Sequence, residues 1–430
     1  MMSMPELVIP EFRVPVSRLR VGVFIRLDDI KWYDHPFLFK SFKITNEKQL
    51  QILRQLAIQE VICVPARSDV LPLKEGPEES KPLEKVDSQD SLEELWKIKQ
   101  ERALRLKERQ EEIARCEKRY AETQQQVSRL IKGITSGSTA LVQEVGEFAD
   151  TFSSYFLENA DSALHLMRVS TQDEGLYHHA MNVTVLAMML GKEVGLTPEE
   201  MKSLCQGALL HDIGKSRIDK KVALKEKGFT RAELDFLRLH PKYGVEILAA
   251  LQNIPKPILI IVYQHHEAWN GTGYPTGLKG EEIDLLSRIT AIANTYDNHC
   301  NKRVAADCMT PFEALATMFS VQKELFDQKL LASFIRCLGI YPPGTVVQLN
   351  NGSIGMVISV NPQSQLHPSI VMYDPEIPQK DALIVEMLDE PELKIVNSIR
   401  PAALPPEIFN YLSPRSRVTY FVDTTETRNQ

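Results

Sequence analysis

Apolar positions fall on three different rhythms along the chain. From Val14 to Pro65, short apolar runs at Val21 to Leu27 and Val61 to Val64 alternate with polar breaks, the pattern of short strands. Between them Leu50, Leu53, Leu56 and Ala57 recur at helical spacing within Asn46 to Ala57. The pattern predicts a small α+β domain over residues 10–70. Residues 71–91 are expected to be a linker, because Lys74 to Asp90 is rich in Pro, Glu, Lys and Ser and buries too little apolar surface to offset chain ordering.

Residues 92–138 read as a charged helix. Leu92, Leu106, Ile113, Tyr120, Val127 and Ile134 are spaced by multiples of seven, with a break at Lys99, in a stretch dense in Glu, Lys, Arg and Gln. The column three residues on (Leu95, Arg102, Arg109, Cys116, Thr123, Leu130) is too polar for a full coiled-coil seam. Two readings stay open: a signalling or dimerising coiled coil, or a solvated helix with one stripe docked on its own protein.

Residues 139–340 predict a helical domain. Thr197-Pro198-Glu199-Glu200, Thr230-Arg231-Ala232-Glu233 and Thr310-Pro311-Phe312-Glu313 each set Thr at an N-cap with Glu three residues on, the capping-box signature. After Pro342-Pro343-Gly344 the rhythm turns to β alternation at Thr345 to Leu349, Ile354 to Val360, Ser369 to Tyr373 and Ala382 to Met387. A small β-rich domain over residues 341–423 follows, with Thr424 to Gln430 loose.

Composition narrows the function. At 430 residues and 43% hydrophobic, the chain has material for about three domains. The 50 Lys and Arg against 57 Asp and Glu give a net charge of −7, which argues against duplex nucleic acid as a partner. Ile258 to Tyr263 is the longest apolar run near a breaker and Met1 to Phe12 is no signal peptide, so a cytoplasmic chain without membrane insertion is expected. Six cysteines with no C-x-x-C spacing speak against a disulfide framework and a thiolate zinc site. Any metal must be held by histidines and carboxylates.

Six of the ten histidines crowd into Tyr177-His178-His179, His211-Asp212-Ile213-Gly214-Lys215, His240-Pro241 and His265-His266-Glu267. Neighbours on a regular helix diverge by about 100°, so two adjacent ligands need a helix end. Gly214 is expected to stop the helix opened at Thr197, and a helix from Pro257 is expected to unwind at Asn270-Gly271. His179 shares a stripe with Val183, Ala187 and Leu190; alone it would read as a core histidine, and the other histidines make it a ligand candidate.

These residues, with His240-Pro241-x-x-Gly244, Asn270-Gly271-Thr272-Gly273-Tyr274-Pro275 and Arg303, resemble the HD-GYP branch of the HD phosphohydrolases from Tyr177 to Phe334. Val14 to Val64, with Ser17-Arg18-Leu19-Arg20-Val21-Gly22 and His35-Pro36-Phe37, also resembles the uncharacterised domain that often precedes HD-GYP modules. The resemblance implies a mainly α fold: a helical HD-type metal-dependent phosphohydrolase domain with a small N-terminal α+β domain, a long connecting helix and a small C-terminal β appendage. It implies Fe or Mn ions and hydrolysis of cyclic di-GMP to pGpG or GMP in bacterial second-messenger signalling. Mixed imidazole and carboxylate ligands suit those metals, and a shared carboxylate sets two ions about 3.5–4 Å apart.

Carried over residue by residue, the resemblance implies His179, His211, Asp212 and Asn294 around one ion and Asp212, His240, His265 and His266 around the other, with Asp212 bridging. It implies phosphate contacts from Lys215 and Arg303, and a Gly273-Tyr274-Pro275 loop in which Tyr274 stacks on a guanine or a partner protein. Gly271 and Gly273 are expected to need φ > 0 and Pro275 to fix the loop exit.

Three positions depart from the family. Asn294 replaces the usual Asp, with Asp297 one turn on and reaching an ion at most through a water. Gly175 stands where trinuclear members carry Glu, so two metals are expected. Ala306 removes a second basic contact. The leading expectation is therefore a phosphodiesterase weakened by Asn294. The alternative is a degenerate module that binds cyclic di-GMP or a signalling partner, through the GYP loop or the 92–134 helix, without turnover; a homodimer stays open. A one-metal nucleotidase is disfavoured, since His240 and the His265-His266 pair exceed what one ion requires.

Overall fold

A computed structural model describes residues 10–30, 35–37, 39–56, 58–74, 122–138, 140–158, 164–166, 175–302 without 224, 226 and 252, 308–412 without 361–363, 376, 380 and 381, and 420–422, with isolated helical positions between 93 and 111. The chain divides into two compact units, one holding residues 1–110 and the other most of the remainder. The expected linker lies outside the described residues from 75 to 91, and so do Thr424 to Gln430.

In the first unit, β1 (Phe12–Pro15), β2 (Phe24–Arg26), β3 (Ser41–Lys43) and β4 (Glu60–Cys63) form an antiparallel sheet in the order β1-β4-β2-β3. Helix α1 (Glu47–Gln55) starts where the Asn46 side chain accepts from Gln49 N, an N-cap that satisfies one orphan donor. Its Leu50, Ile52 and Leu53 pack with Val14, Ile25, Val61 and Cys63.

The second unit is built on helices. The described part of the charged helix, residues 122–135 (α2), buries Val127, Leu130, Ile131 and Ile134 in the main core, so this part is a stripe docked on its own protein. Its earlier turns lie mostly outside the described residues. There follow α3 (Ala140–Glu158), α4 (Gly175–Glu193), α5 (Pro198–Leu210), α6 (Lys220–Ala223), α7 (Arg231–Leu237), α8 (His240–Ala249), α9 (Lys256–Gln264), α10 (Leu285–Cys300), α11 (Pro311–Ser320) and α12 (Gln328–Leu338). All three expected capping boxes form, at Thr197, Thr230 and Thr310.

Val183, Ala187 and Leu190 of α4, Leu204 and Ala208 of α5, Ile261 of α9 and Ile289 of α10 are fully buried in one core. Each such aliphatic side chain larger than Ala contributes about 1.5–3 kcal/mol through removal from water. Two glycines set the spacing: a Cβ on Gly207 would collide with Ile261, and one on Gly244 would stand 2.6 Å from Val262 Cγ1. Close approach of α5, α8 and α9 brings three histidine-bearing helix ends together.

At the C-terminal end β6 (Val346–Leu349), β7 (Ile354–Ser359), β8 (Ser369–Met372), β9 (Ile384–Glu386) and β10 (Ile395–Ile399) form an antiparallel sheet in the order β10-β6-β7-β8-β9. Sequence alternation misses β10, an edge strand with no fully buried residue, and misses helix α13 (Pro406–Leu412). A further pair joins β5 (Leu164–Leu166) to β11 (Tyr420–Val422). Among the described residues no helix is long and apolar enough to cross a membrane.

Candidate metal centre

Helix ends position the cluster. Helix α5 closes at Leu210 with His211 as its C-cap, and Asp212 caps the 3₁₀ turn Ile213–Arg217 that follows. The expected role of Gly214 as a helix stop is corrected here. It lies inside the 3₁₀ turn, and its lack of a Cβ matters because a methyl group there would collide with the carbonyl of His240. His240 opens α8 and His265 caps α9.

The tautomers are fixed from behind. His211 Nδ1 faces Ala208 O at 2.6 Å, His240 Nδ1 faces Leu237 O at 2.7 Å and His265 Nδ1 faces Val262 O at 2.8 Å. A carbonyl only accepts, so each Nδ1 carries the proton and each Nε2 keeps its lone pair. His179 Nδ1 donates to Asp297 Oδ2 at 2.7 Å, with the same result. The four Nε2 atoms then converge: His179 and His211 at 3.3 Å, His240 and His265 at 3.2 Å. Facing lone pairs at that range repel unless a cation stands between them.

Asp212 lies between the two pairs. Its Oδ2 is 3.4 Å from His211 Nε2 and 3.6 Å from His179 Nε2, while Oδ1 is 3.3 Å from His240 Nε2 and 3.8 Å from His265 Nε2. Oδ1 is buried and has no hydrogen-bond partner of acceptable geometry, a costly condition for a carboxylate without a cation. Lys215 Nζ stands 2.5 Å from Oδ2. Burial would raise the Asp212 carboxyl, yet Lys215 and the flanking imidazoles hold it well below the usual carboxylate range. Burial keeps His211 lowered and His265 and His266 well below the ordinary imidazole value, so these side chains are neutral donors near pH 7. The donor atoms of Asp212, His240, His265 and His266 lie within 4.8 Å of one another, as do those of His179, His211 and Asp212.

Asn294 is buried on α10, and its Oδ1 accepts from Asn298 Nδ2 at 2.8 Å, leaving a second lone pair on that oxygen. Asp297, one turn further and fully buried, holds His179 directly and also accepts from Asn182 and Asn301, each at 2.7 Å. Its place is therefore behind the imidazole, not on an ion through a water. Sequence reasoning missed this role, although its i+3 position after Asn294 was a signal. His178, beside His179, meets Gln124 of α2 at 3.0 Å.

The GYP loop wraps over the cluster. Tyr274 stacks on His266, with ring centroids 4.6 Å apart at 18°, so its ring is first a wall of the cluster. Burial raises its phenol. Pro275 is exposed. Gly271 has φ 81° as expected, but Gly273 is needed for a different reason: a Cβ there would stand 2.5 Å from Glu267 Cα. Glu267 is a second residue that sequence reasoning left without a role. Its buried carboxylate accepts from the backbone of Thr276 (2.7 Å), Gly277 (2.9 Å) and Leu278 (3.0 Å), pinning the loop to the residue after the histidine pair. Arg303 and Ala306 lie outside the described residues, and Gly175 begins α4.

Comparison with known proteins agrees with this architecture. Residues 11–145 match a domain of unknown function, DUF3391, residues 165–330 match the HD domain, and residues 346–405 match a KOW domain associated with the HD domain. A Pseudomonas aeruginosa protein named as a cyclic di-GMP phosphodiesterase is 28% identical over 368 residues, covering 84% of each chain. The cyclic di-GMP phosphodiesterase response regulator RpfG of Xanthomonas campestris is 32% identical over 169 residues, 39% of this chain and 45% of its own length. The solved structure of Bd1817, a HDG"Y"P protein from Bdellovibrio bacteriovorus, is similar with a TM-score of 0.43 at 17% identity, covering 76% of this chain and 98% of that one.

Proposed function

We propose that this chain, whose residues 165–330 match the HD domain, is a metal-dependent phosphodiesterase that hydrolyses cyclic di-GMP. The observation that carries the reading is the ring of inward Nε2 lone pairs around Asp212, whose Oδ1 has no hydrogen-bond partner; two divalent cations satisfy that donor set. Both relatives named above bear cyclic di-GMP phosphodiesterase names. His179, His211, Asp212 and Asn294 would hold one ion and Asp212, His240, His265 and His266 the other, with Fe²⁺ or Mn²⁺ suited to the mixed ligands. When bound, such ions supply hydroxide at neutral pH and neutralise charge on phosphoryl oxygens.

The protein's own share is orientation. Backbone carbonyls and Asp297 fix the imidazole tautomers, and Glu267 fixes the loop over the site. Lys215 and Arg303 are assigned to phosphate oxygens, and Gly273, Tyr274 and Pro275 to the substrate-facing loop. The product is pGpG, GMP or both, formed in the cytoplasm. Asn294 brings no charge to its ion and lowers occupancy and rate.

The test is metal analysis of the purified protein beside a cyclic di-GMP hydrolysis assay with added Mn²⁺ or Fe²⁺ under reducing conditions, with products separated by chromatography. Hydrolysis that disappears on chelation is expected. Two bound ions without any hydrolysis would favour the second reading, binding without turnover, for which the neutral amide of Asn294 is the specific observation.

A further inference from the structure

Lys215, assigned above to a phosphate oxygen, also stands 2.5 Å from Asp212 Oδ2, and a cyclic dinucleotide carries two phosphates, so a further cation near the cluster has a role to fill. One stands at the edge of the cluster. Arg238 is the C-cap of α7, two residues before His240, and is exposed. Its guanidinium carbon lies 5.4 Å from the Tyr274 ring centroid. That ring stacks on His266 and stands edge-on to His240, with centroids 6.3 Å apart at 79°. A guanidinium is thus placed against a phenol that is itself fixed against ligand imidazoles, a cation–π contact that limits where the charge can go. Among the described residues no carboxylate pairs with Arg238.

The surrounding charge has the matching sign. Residues 215–242 carry nine Lys and Arg (215, 217, 220, 221, 225, 227, 231, 238 and 242) against four Asp and Glu (219, 226, 233 and 235), in a chain whose net charge is −7. Two of these cations pair with carboxylates outside the segment, Lys215 with Asp212 and Arg217 with Glu246, and the excess that remains still draws anions toward the segment that joins Lys215 to His240. We propose that Arg238 is a substrate-binding residue that grips a phosphate oxygen of the cyclic dinucleotide. Its planar fork suits a phosphate better than an ammonium does, and its partner Tyr274 holds it beside the histidine cluster. The inference rests on the phosphodiester reading above and adds a residue that neither the histidine motif nor the loop motif contains.

The experiment uses the full chain loaded with Mn²⁺ and measures Kd for a hydrolysis-resistant phosphorothioate analogue of cyclic di-GMP by calorimetry at low and high salt. Arg238→Ala should weaken binding about tenfold or more with metal content unchanged, and its affinity should fall less steeply with salt. Arg238→Lys should recover part of the loss, because it keeps the charge and loses the fork. Binding by Arg238→Ala equal to that of the wild type overturns the assignment while leaving the phosphodiesterase reading intact. Loss of metal in Arg238→Ala also overturns it, since the residue would then be structural. A wild-type protein that does not bind the dinucleotide removes both readings together.

Discussion

Around Asp212 Oδ1 stand the imidazoles of His240 and His265, each fixed by a helix-end carbonyl, with His266 beside them; around Oδ2 stand His179, His211 and the ammonium of Lys215. The first half has three imidazoles and an unshared carboxylate oxygen. The second has two imidazoles and an oxygen already shared with a cation, and Asn294 adds no charge. What the second half has instead is Asp297, a fully buried carboxylate hydrogen-bonded to His179. If His179 holds an ion as proposed, the carboxylate behind it raises its basicity and would partly offset the neutral amide of Asn294. Sites that look degenerate from their ligand list can be compensated one residue further out.

The largest effect should come from Asp212→Ala, which removes the group common to both halves. Metal per chain after desalting should fall nearly to background, and hydrolysis should drop by at least about a thousandfold; retention of two ions would break the comparison at its centre. Asp297→Asn should act on one half only. It leaves volume unchanged but frees the His179 tautomer, and one ion should be lost or bound about 10–100-fold more weakly while the other stays. Equal weakening of both ions would mean that the halves are not separable.

Gly214→Ala tests what holds the halves in register. The added Cβ collides with the His240 carbonyl, and overpacking of this kind costs about 1–3 kcal/mol. The melting temperature of the metal-loaded protein should fall, with metal affinity falling in the same variant. The smallest change expected is a gain: Asn294→Asp restores a charged ligand with almost no change in volume. Metal retention and cyclic di-GMP hydrolysis should rise together, by about severalfold. Strong wild-type hydrolysis with no gain in the variant would show that Asp297 already makes up the deficit.

How much of this was legible in the sequence depends on how far apart the interacting groups lie along the chain. The capping boxes at Thr197, Thr230 and Thr310 were readable because both partners sit within four residues, where spacing alone fixes geometry. The buried stripe of α4 and the histidine-bearing motifs were readable for the same reason, as were the alternating strands β6 to β9. Strand β10 was not, because an edge strand has little burial to impose alternation.

The chain by itself therefore determined the helix starts, the two rhythms of helix and sheet, and the kinds of ligand available. It did not determine which groups stand behind those ligands. Asp297 and His179 are 118 residues apart, Gln124 and His178 are 54 apart, and Gly273 matters because the backbone of Glu267 comes close to it in space. Such contacts follow from the packing of whole helices, since periodicity encodes the face a side chain occupies but not the partner that packing brings opposite it. The Nε2 atoms converge for the same reason: helix ends from α5, α8 and α9 meet only after Gly207 and Gly244 let those helices approach, and the carbonyls that fix each imidazole are oriented by the turns in which they end.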